Sequence, residues 1–326
     1  GQILEEGINE AGAMSAWLAC ATSYSVSDYP MVPFYIFYSM FGFQRIHDLA
    51  WAAGDSQARG FLIGATAGRT TLNGEGLQHQ DGHSHLMATT IPNCVSYDPT
   101  YSFELATIIR AGMNRMFENG ENVFYYITTM NENYVHPDMP EGVEEGIVKG
   151  LYPLKTSSVA GKHRVQLMSA GTIMREVEAA AVILERDYGV VADIWSMTSV
   201  NELARQGSKI VRHNMMNPGE EPQIPYVTQC LAATEGPIIA ATDYMRAHTN
   251  QLREFMPRSF TVLGTDGFGR SDTRAQLREF FEVDRRYVVL AAMTALADEG
   301  AIKRGEVAKV MVDLGIDPTK PDPTTV

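Results

Sequence analysis

Only three cysteines occur in the 326 residues, Cys20, Cys94 and Cys230. They lie in separate apolar contexts with no CxxC spacing, which excludes a disulfide framework and a thiolate metal cage. The expectation is three buried, inert thiols in a reducing, cytoplasmic setting. No uncharged apolar run reaches the roughly 18–20 residues that cross a bilayer. Positive charge is also scarce: 26 Lys and Arg face 39 Asp and Glu, a net charge of −13. A field of that sign repels nucleic-acid backbones and anionic lipid, so neither nucleic acid nor a membrane is expected as a partner. Nucleotide signatures are missing too. There is no GxxxxGK[ST] loop, Gly74-x-Gly76 lacks the third glycine of a dinucleotide fingerprint, and Gly264-Thr265-Asp266-Gly267-Phe268-Gly269 has no acidic ribose-reading partner. The chain has 45% hydrophobic and 20% charged residues, ordinary for a globular protein, and is long enough for about two domains at roughly 150 residues each.

Short β-rich runs alternate with helical patterns throughout, the mark of α/β architecture with helices on both faces of parallel sheets. Strands are expected at residues 32–38, 61–64, 94–97 and 123–128, with helices over residues 43–58 and 102–117. A second set follows at residues 165–168, 190–195, 238–241 and 260–263, with Ile173, Val177, Ala180 and Leu184 at helical spacing. Residues 131–140 and 153–161 read as loops, which places a boundary near residue 155. Two doubly wound domains result, residues 1–155 and 156–326. The first residues show no cap, and an apolar pattern is already under way at Ile3 and Leu4, so the chain reads as part of a longer one.

Chemistry-bearing residues concentrate in Gly74-Glu75-Gly76-Leu77-Gln78-His79-Gln80-Asp81-Gly82-His83-Ser84-His85. Three of the eight histidines fall in this Gly-rich loop after a strand. His79 and His83 have a zinc-chelating spacing only on a helix, which Gly76 and Gly82 disfavour, so no metal ligand is assigned. A proton-transfer loop and a structural loop both stay open. Glu10 begins a mostly apolar helical stretch, and either a solvated acidic face or a sheltered carboxyl fits. The run from Phe34 to Phe41 reads as a strand whose alternate positions are core.

The ordered set GINE (7–10), FYIFYSMFGFQR (34–45), GRTTLNGEGLQHQDGHSH (68–85), YYITTMNENY (125–134) and LGTDGFGRSD (263–272) resembles the transketolase-like thiamine diphosphate enzymes. Within them it is most similar to the homodimeric bacterial pyruvate dehydrogenases, from Gly1 to Val326. The resemblance implies a pyrimidine-binding domain followed by a transketolase-like C-terminal domain. A domain binding the diphosphate and Mg2+ has no match in this chain. It implies that Glu10 hydrogen-bonds the aminopyrimidine ring, that Tyr38 and Phe41 pack that ring with Arg45 nearby, and that His79, with Glu75 beside it, serves proton transfer. Roles for His83 and His85 stay open, and Asp266, Phe268 and Ser271 belong to a turn that packs or makes subunit contacts. The implied reaction decarboxylates pyruvate and passes an acetyl group to the lipoyl domain of a dihydrolipoyl acetyltransferase, in a homodimer or beside a complementing diphosphate-binding domain. Sugar-phosphate ketol transfer is the alternative enzyme activity. It is disfavoured because Glu132 stands where transketolases carry an arginine that clamps phosphate. A non-catalytic dimerisation module is the alternative of a different class.

Overall fold

The computed structural model describes residues 2–326. Strands β1 (Phe34–Tyr38), β2 (Phe61–Ala65), β3 (Cys94–Tyr97) and β4 (Phe124–Thr128) form a wholly parallel sheet in the order β1-β2-β4-β3. Successive side chains on a strand point to opposite faces. Leu62, Phe124 and Tyr126 therefore join Met14, Trp17, Phe43 and Ile46 on one side. Phe61, Ile63, Tyr125 and Ile127 meet Val95, Ile108 and Ile147 on the other. Helices Glu10–Ala21 and Ser39–Asp55 cover the first face. Trp17 anchors the former to the sheet by donating its indole N–H to the Phe61 carbonyl at 3.2 Å.

The second sheet has β5 (Tyr152–Lys155), β6 (His163–Ser169), β7 (Val190–Ser196), β8 (Ile238–Ala241) and β9 (Phe260–Leu263) in the order β5-β7-β6-β8-β9. Its core is likewise two-sided. Val165, Leu167, Ile194 and Ile239 pack with the helices Met174–Tyr188 and Arg285–Asp298. Met168, Trp195, Ile238 and Phe260 form the other layer. Both expected α/β sheets are present with helices on both faces.

Four local readings change. The stretch from Pro153, expected as a loop, holds most of β5, among the described residues the one antiparallel strand, which pairs with β7; an edge position tolerates the proline that obscured it. The helix expected from residue 43 begins at Ser39. The first helix does have a cap: Asn9 Oδ1 accepts from Gly12 N–H at 3.0 Å, while Ile3, Leu4 and Ile8 are exposed and irregular. Along β1 one set of alternate positions is core as expected, Phe37 buried and Tyr35 packed against the same cluster, while Phe34 and Ile36 on the other face of this edge strand are exposed. Of the cysteines only Cys94 is buried, and burial pushes its thiol up to about 12; Cys20 and Cys230 are half-buried.

The sheets meet across a polar seam. Asp243, just past β8, is buried and accepts from Thr70 N–H at 2.8 Å, Thr70 Oγ1–H at 2.7 Å and Thr71 Oγ1–H at 2.6 Å. Gly68 (φ +90°) approaches that carboxylate so closely that a Cβ there would lie 2.3 Å from Oδ2, and its positive φ suits glycine. No helix among the described residues is long and apolar enough to cross a membrane.

Candidate active site

The carboxyl ends of parallel strands are where open α/β sheets place their ligand sites. Tyr38 closes β1, and the helix that starts at the next residue carries Phe41 and, one turn later, Arg45. The Tyr38 and Phe41 rings lie 5.2 Å apart. The loop after β2 brings His79 edge-on to both, 5.8 Å from Tyr38 and 5.3 Å from Phe41. Glu75 Oε2 lies 2.9 Å from His79 Nδ1, which fixes the ring's orientation and leaves Nε2 on its far side. Arg45 stacks its guanidinium 4.4 Å from the Phe41 ring centre and donates to Glu10 Oε1 at 2.5 Å. All six singled-out residues therefore form one chain of contacts, Glu10, Arg45, Phe41, Tyr38, His79 and Glu75.

Glu10 is not on a purely apolar face. Its side chain is 18% exposed and ion-paired, at the first turn of a helix whose dipole favours a carboxylate there. Arg45 takes one oxygen only, and Oε2 has no protein partner among the described residues. Burial and the neighbouring Glu75 carboxylate push the Tyr38 phenol up. The Tyr38 and Ser39 hydroxyls are buried without a hydrogen-bond partner, an arrangement that costs free energy unless another molecule satisfies them.

The other loop histidines lie apart from this cluster. His83 is half-buried at the N-terminus of the helix Ser84–Thr89, its backbone N–H donating to Asp81 Oδ1 at 3.0 Å. His85 is buried in the seam, stacked on His248 at 5.1 Å, with Nε2 at 2.9 Å from Thr128 Oγ1. Among the described residues no three His, Cys, Asp or Glu side chains converge to hold a metal ion.

Residues 1–137 match the family model described as pyruvate dehydrogenase E1 component middle domain, and residues 150–284 that of the transketolase-like C-terminal domain. Over 324 residues the chain is 62% identical to the pyruvate dehydrogenase E1 component of Pseudomonas aeruginosa, covering 99% of this chain and 37% of that protein. Against the Escherichia coli component it is 57% identical over 325 residues, covering 99% and 36%. The chain belongs to the pyruvate dehydrogenase E1 family. It spans a little over a third of the length of these curated relatives. Fold likeness extends further. A transketolase from Campylobacter jejuni superposes with a TM-score of 0.68 at 18% identity, covering 89% of this chain and 39% of that one. A split-gene transketolase solved as an inactive beta4 tetramer gives 0.61 at 17% identity, covering 89% and 83%.

One charge argument does not survive in this E1 chain. Glu132 was expected to repel phosphate, yet it bonds Arg175 at 2.7 Å and Arg278 at shorter range, with Arg274 at 3.9 Å. Its charge is more than offset locally, so the distinction from sugar-phosphate enzymes rests on the family match and not on this carboxylate.

The E1 seam also carries a pH dependence. Burial lifts the Asp98 carboxyl to about 7, against hydrogen bonds from Thr128 Oγ1–H at 2.6 Å and Tyr244 O–H at 3.2 Å. Burial drops His85 to about 3. Asp98's folded value lies above its ordinary 3.8, so its contribution to stability is full below that value and is lost as pH rises through about 7. His85's lies below its ordinary 6.5, so its contribution is full above that value and is lost as pH falls towards 3. Asp98→Asn keeps an acceptor for both hydroxyls and removes the first dependence. Urea midpoints at about pH 5 and about pH 8 should fall less between the two in the variant than in the parent; equal falls would place the buried proton elsewhere.

Proposed function

We propose that this chain supplies the aminopyrimidine-binding half of a thiamine diphosphate site in an E1 enzyme that decarboxylates pyruvate and passes the acetyl group to a lipoyl domain of an acetyltransferase. The observation that carries this reading is the single cluster of a carboxylate, two aromatic rings and a carboxylate-oriented imidazole at the carboxyl ends of β1 and β2. That set suits the cofactor's pyrimidine: a flat ring to stack, a ring nitrogen to bond and a proton to move. The unpartnered Tyr38 and Ser39 hydroxyls beside it fit a polar molecule seated there. Residues 1–155 would carry this half-site and residues 156–326 would brace it, in the cytoplasm. Mg2+ and the diphosphate would be held by groups outside this chain, on a complementing domain or the second subunit of a homodimer.

Bound thiamine diphosphate supplies a carbon nucleophile and an electron sink for decarboxylating a 2-oxo acid. Glu10 holds a proton between its free Oε2 and the ring nitrogen, and Arg45 fixes the carboxyl by its other oxygen. Tyr38 and Phe41 orient the ring and keep water from its face. His79 moves a proton at Nε2, with Nδ1 held by Glu75.

A chimera in which this chain replaces the matching part of the Pseudomonas aeruginosa relative tests the reading. It should release carbon dioxide from carboxyl-labelled pyruvate only with thiamine diphosphate and Mg2+, and acetylate a lipoyl domain. Consumption of a sugar phosphate with pyruvate ignored would show the substrate class to be wrong. Failure to bind the cofactor in a folded chimera would favour a dimerisation module.

A further inference from the structure

The loop that carries His79 has few bonds of its own. Within residues 74–79 the backbone makes one turn bond, His79 N–H to the Gly76 carbonyl at 3.2 Å, and the remaining backbone bond leaves the loop, from Gly74 N–H to the Asp272 carbonyl at 2.9 Å. Asp272 belongs to the segment after β9, some two hundred residues on in the chain. The same segment reaches the loop at its other end. Gln80, next to His79 and fully buried, accepts from Arg270 N–H at 2.6 Å and donates to the Leu72 carbonyl at 2.7 Å. Gly269 closes the contact: a Cβ there would lie 2.6 Å from Gln80 Oε1 and 2.9 Å from the Leu77 carbonyl oxygen. A third tie comes from Arg69, whose buried guanidinium donates to the carbonyls of Thr265, at 2.6 Å, and Gly267. Asp266, Phe268 and Ser271 were read as packing or subunit contacts; their segment packs on the histidine loop.

We infer that the turn Gly264–Asp272 of the second sheet positions His79, with Gly269 and the Arg270 N–H seating Gln80 and so setting where the neighbouring imidazole stands against Tyr38 and Phe41. The inference deepens the reading of His79 given above and rests on it for its kinetic consequence. The Gln80 side chain bonds Leu72 and Arg270 and not a ring of the cluster, so Gly269 and Gln80 act through the loop and are positioning residues. Glycine at 269 is required by close approach, because its φ lies outside the left-handed region and an alanine would be admitted by the backbone but not by its neighbours.

Gly269→Ala tests this in two measurements. In the 326-residue chain, hydrogen exchange at the bonded amides of Gly74, His79 and Arg270 should quicken about tenfold or more while β2 and β4 stay protected. In the chimera, kcat for pyruvate should fall roughly 10²-fold, the scale of an ångström's misplacement, with KM little changed. Gln80→Met, which severs both amide bonds at similar volume, should do the same, and Phe268→Ala, at an exposed neighbour, should do neither. Unchanged exchange and kcat in Gly269→Ala and Gln80→Met would overturn the inference, as would exchange quickened equally across both sheets. His79→Ala separates the two readings. If it lowers kcat and the positioning variants do not, the inference falls and the function stands. If His79→Ala is fully active, the proton-transfer role falls, and the exchange measurement alone decides whether the turn holds the loop.

Discussion

Replacing Glu10 by glutamine is expected to lower kcat of the chimera for pyruvate by about 10²–10⁴-fold, the range over which a positioned acid–base group contributes. Glutamine keeps the volume and an oxygen for Arg45, and removes the carboxyl's charge and its capacity to hold and return a proton. Stability should barely respond. The Glu10–Arg45 pair is half in solvent on the arginine side, and exposed pairs are worth at most about 1 kcal/mol. A large loss of kcat with a nearly unchanged melting temperature is thus the expected signature. A parallel loss of both would make Glu10 a structural residue, and retention of kcat would remove it from the chemistry.

Arg278→Met is expected to have the opposite profile, unfolding the protein more readily by about 3 kcal/mol or more. Arg278 is 5% exposed and bonds Glu132 Oε2 and, at 3.5 Å, Glu176 Oε1, fastening the segment after β4 to the second sheet. Its loss leaves two shielded carboxylates one partner short. Arg175 still reaches Glu132 at 2.7 Å and Arg285 still reaches Glu176 at 2.8 Å, so the effect belongs at the lower end of the range for a broken buried pair. A melting temperature lowered by about 4–5 °C would agree. Adding Glu132→Gln should restore part of the loss, since the uncompensated charge is the main penalty. A shift of less than about 2 °C would mean that water or the other arginines already carry the charge.

The strands were the most legible part of the fold. Cys94–Tyr97, Ile238–Ala241 and Phe260–Leu263 are short, mostly apolar runs bounded by polar, proline or glycine residues, and period and punctuation agree there. Local pattern failed where the same residues serve two structures. The run from Phe34 to Phe41 is dominated by aromatic residues, yet it changes from strand to helix between Tyr38 and Ser39. Tyr152–Lys155 hid behind Pro153 because only its pairing with β7 makes it a strand. At the site, the residues were legible through a colinear set of motifs, but their partners were not. That Arg45 reaches Glu10, that three arginines surround Glu132 and that Gly269 abuts Gln80 are facts of the tertiary fold, between positions 35 to about 190 residues apart, and no local period encodes them. The His85 environment is of the same kind. Its neighbours Thr128, Tyr244 and His248 come from two distant segments, and their burial separates it in character from His79 six residues earlier.

The most direct measurement is a structure of the chimera with thiamine diphosphate and Mg2+ bound. The expected result is the pyrimidine ring packed against Tyr38 and Phe41, a ring nitrogen within hydrogen-bond distance of Glu10 Oε2, and His79 Nε2 facing the reacting end of the cofactor. A ring seated elsewhere, with the Glu10–Arg45 pair closed and the Tyr38 and Ser39 hydroxyls still unpartnered, would contradict it.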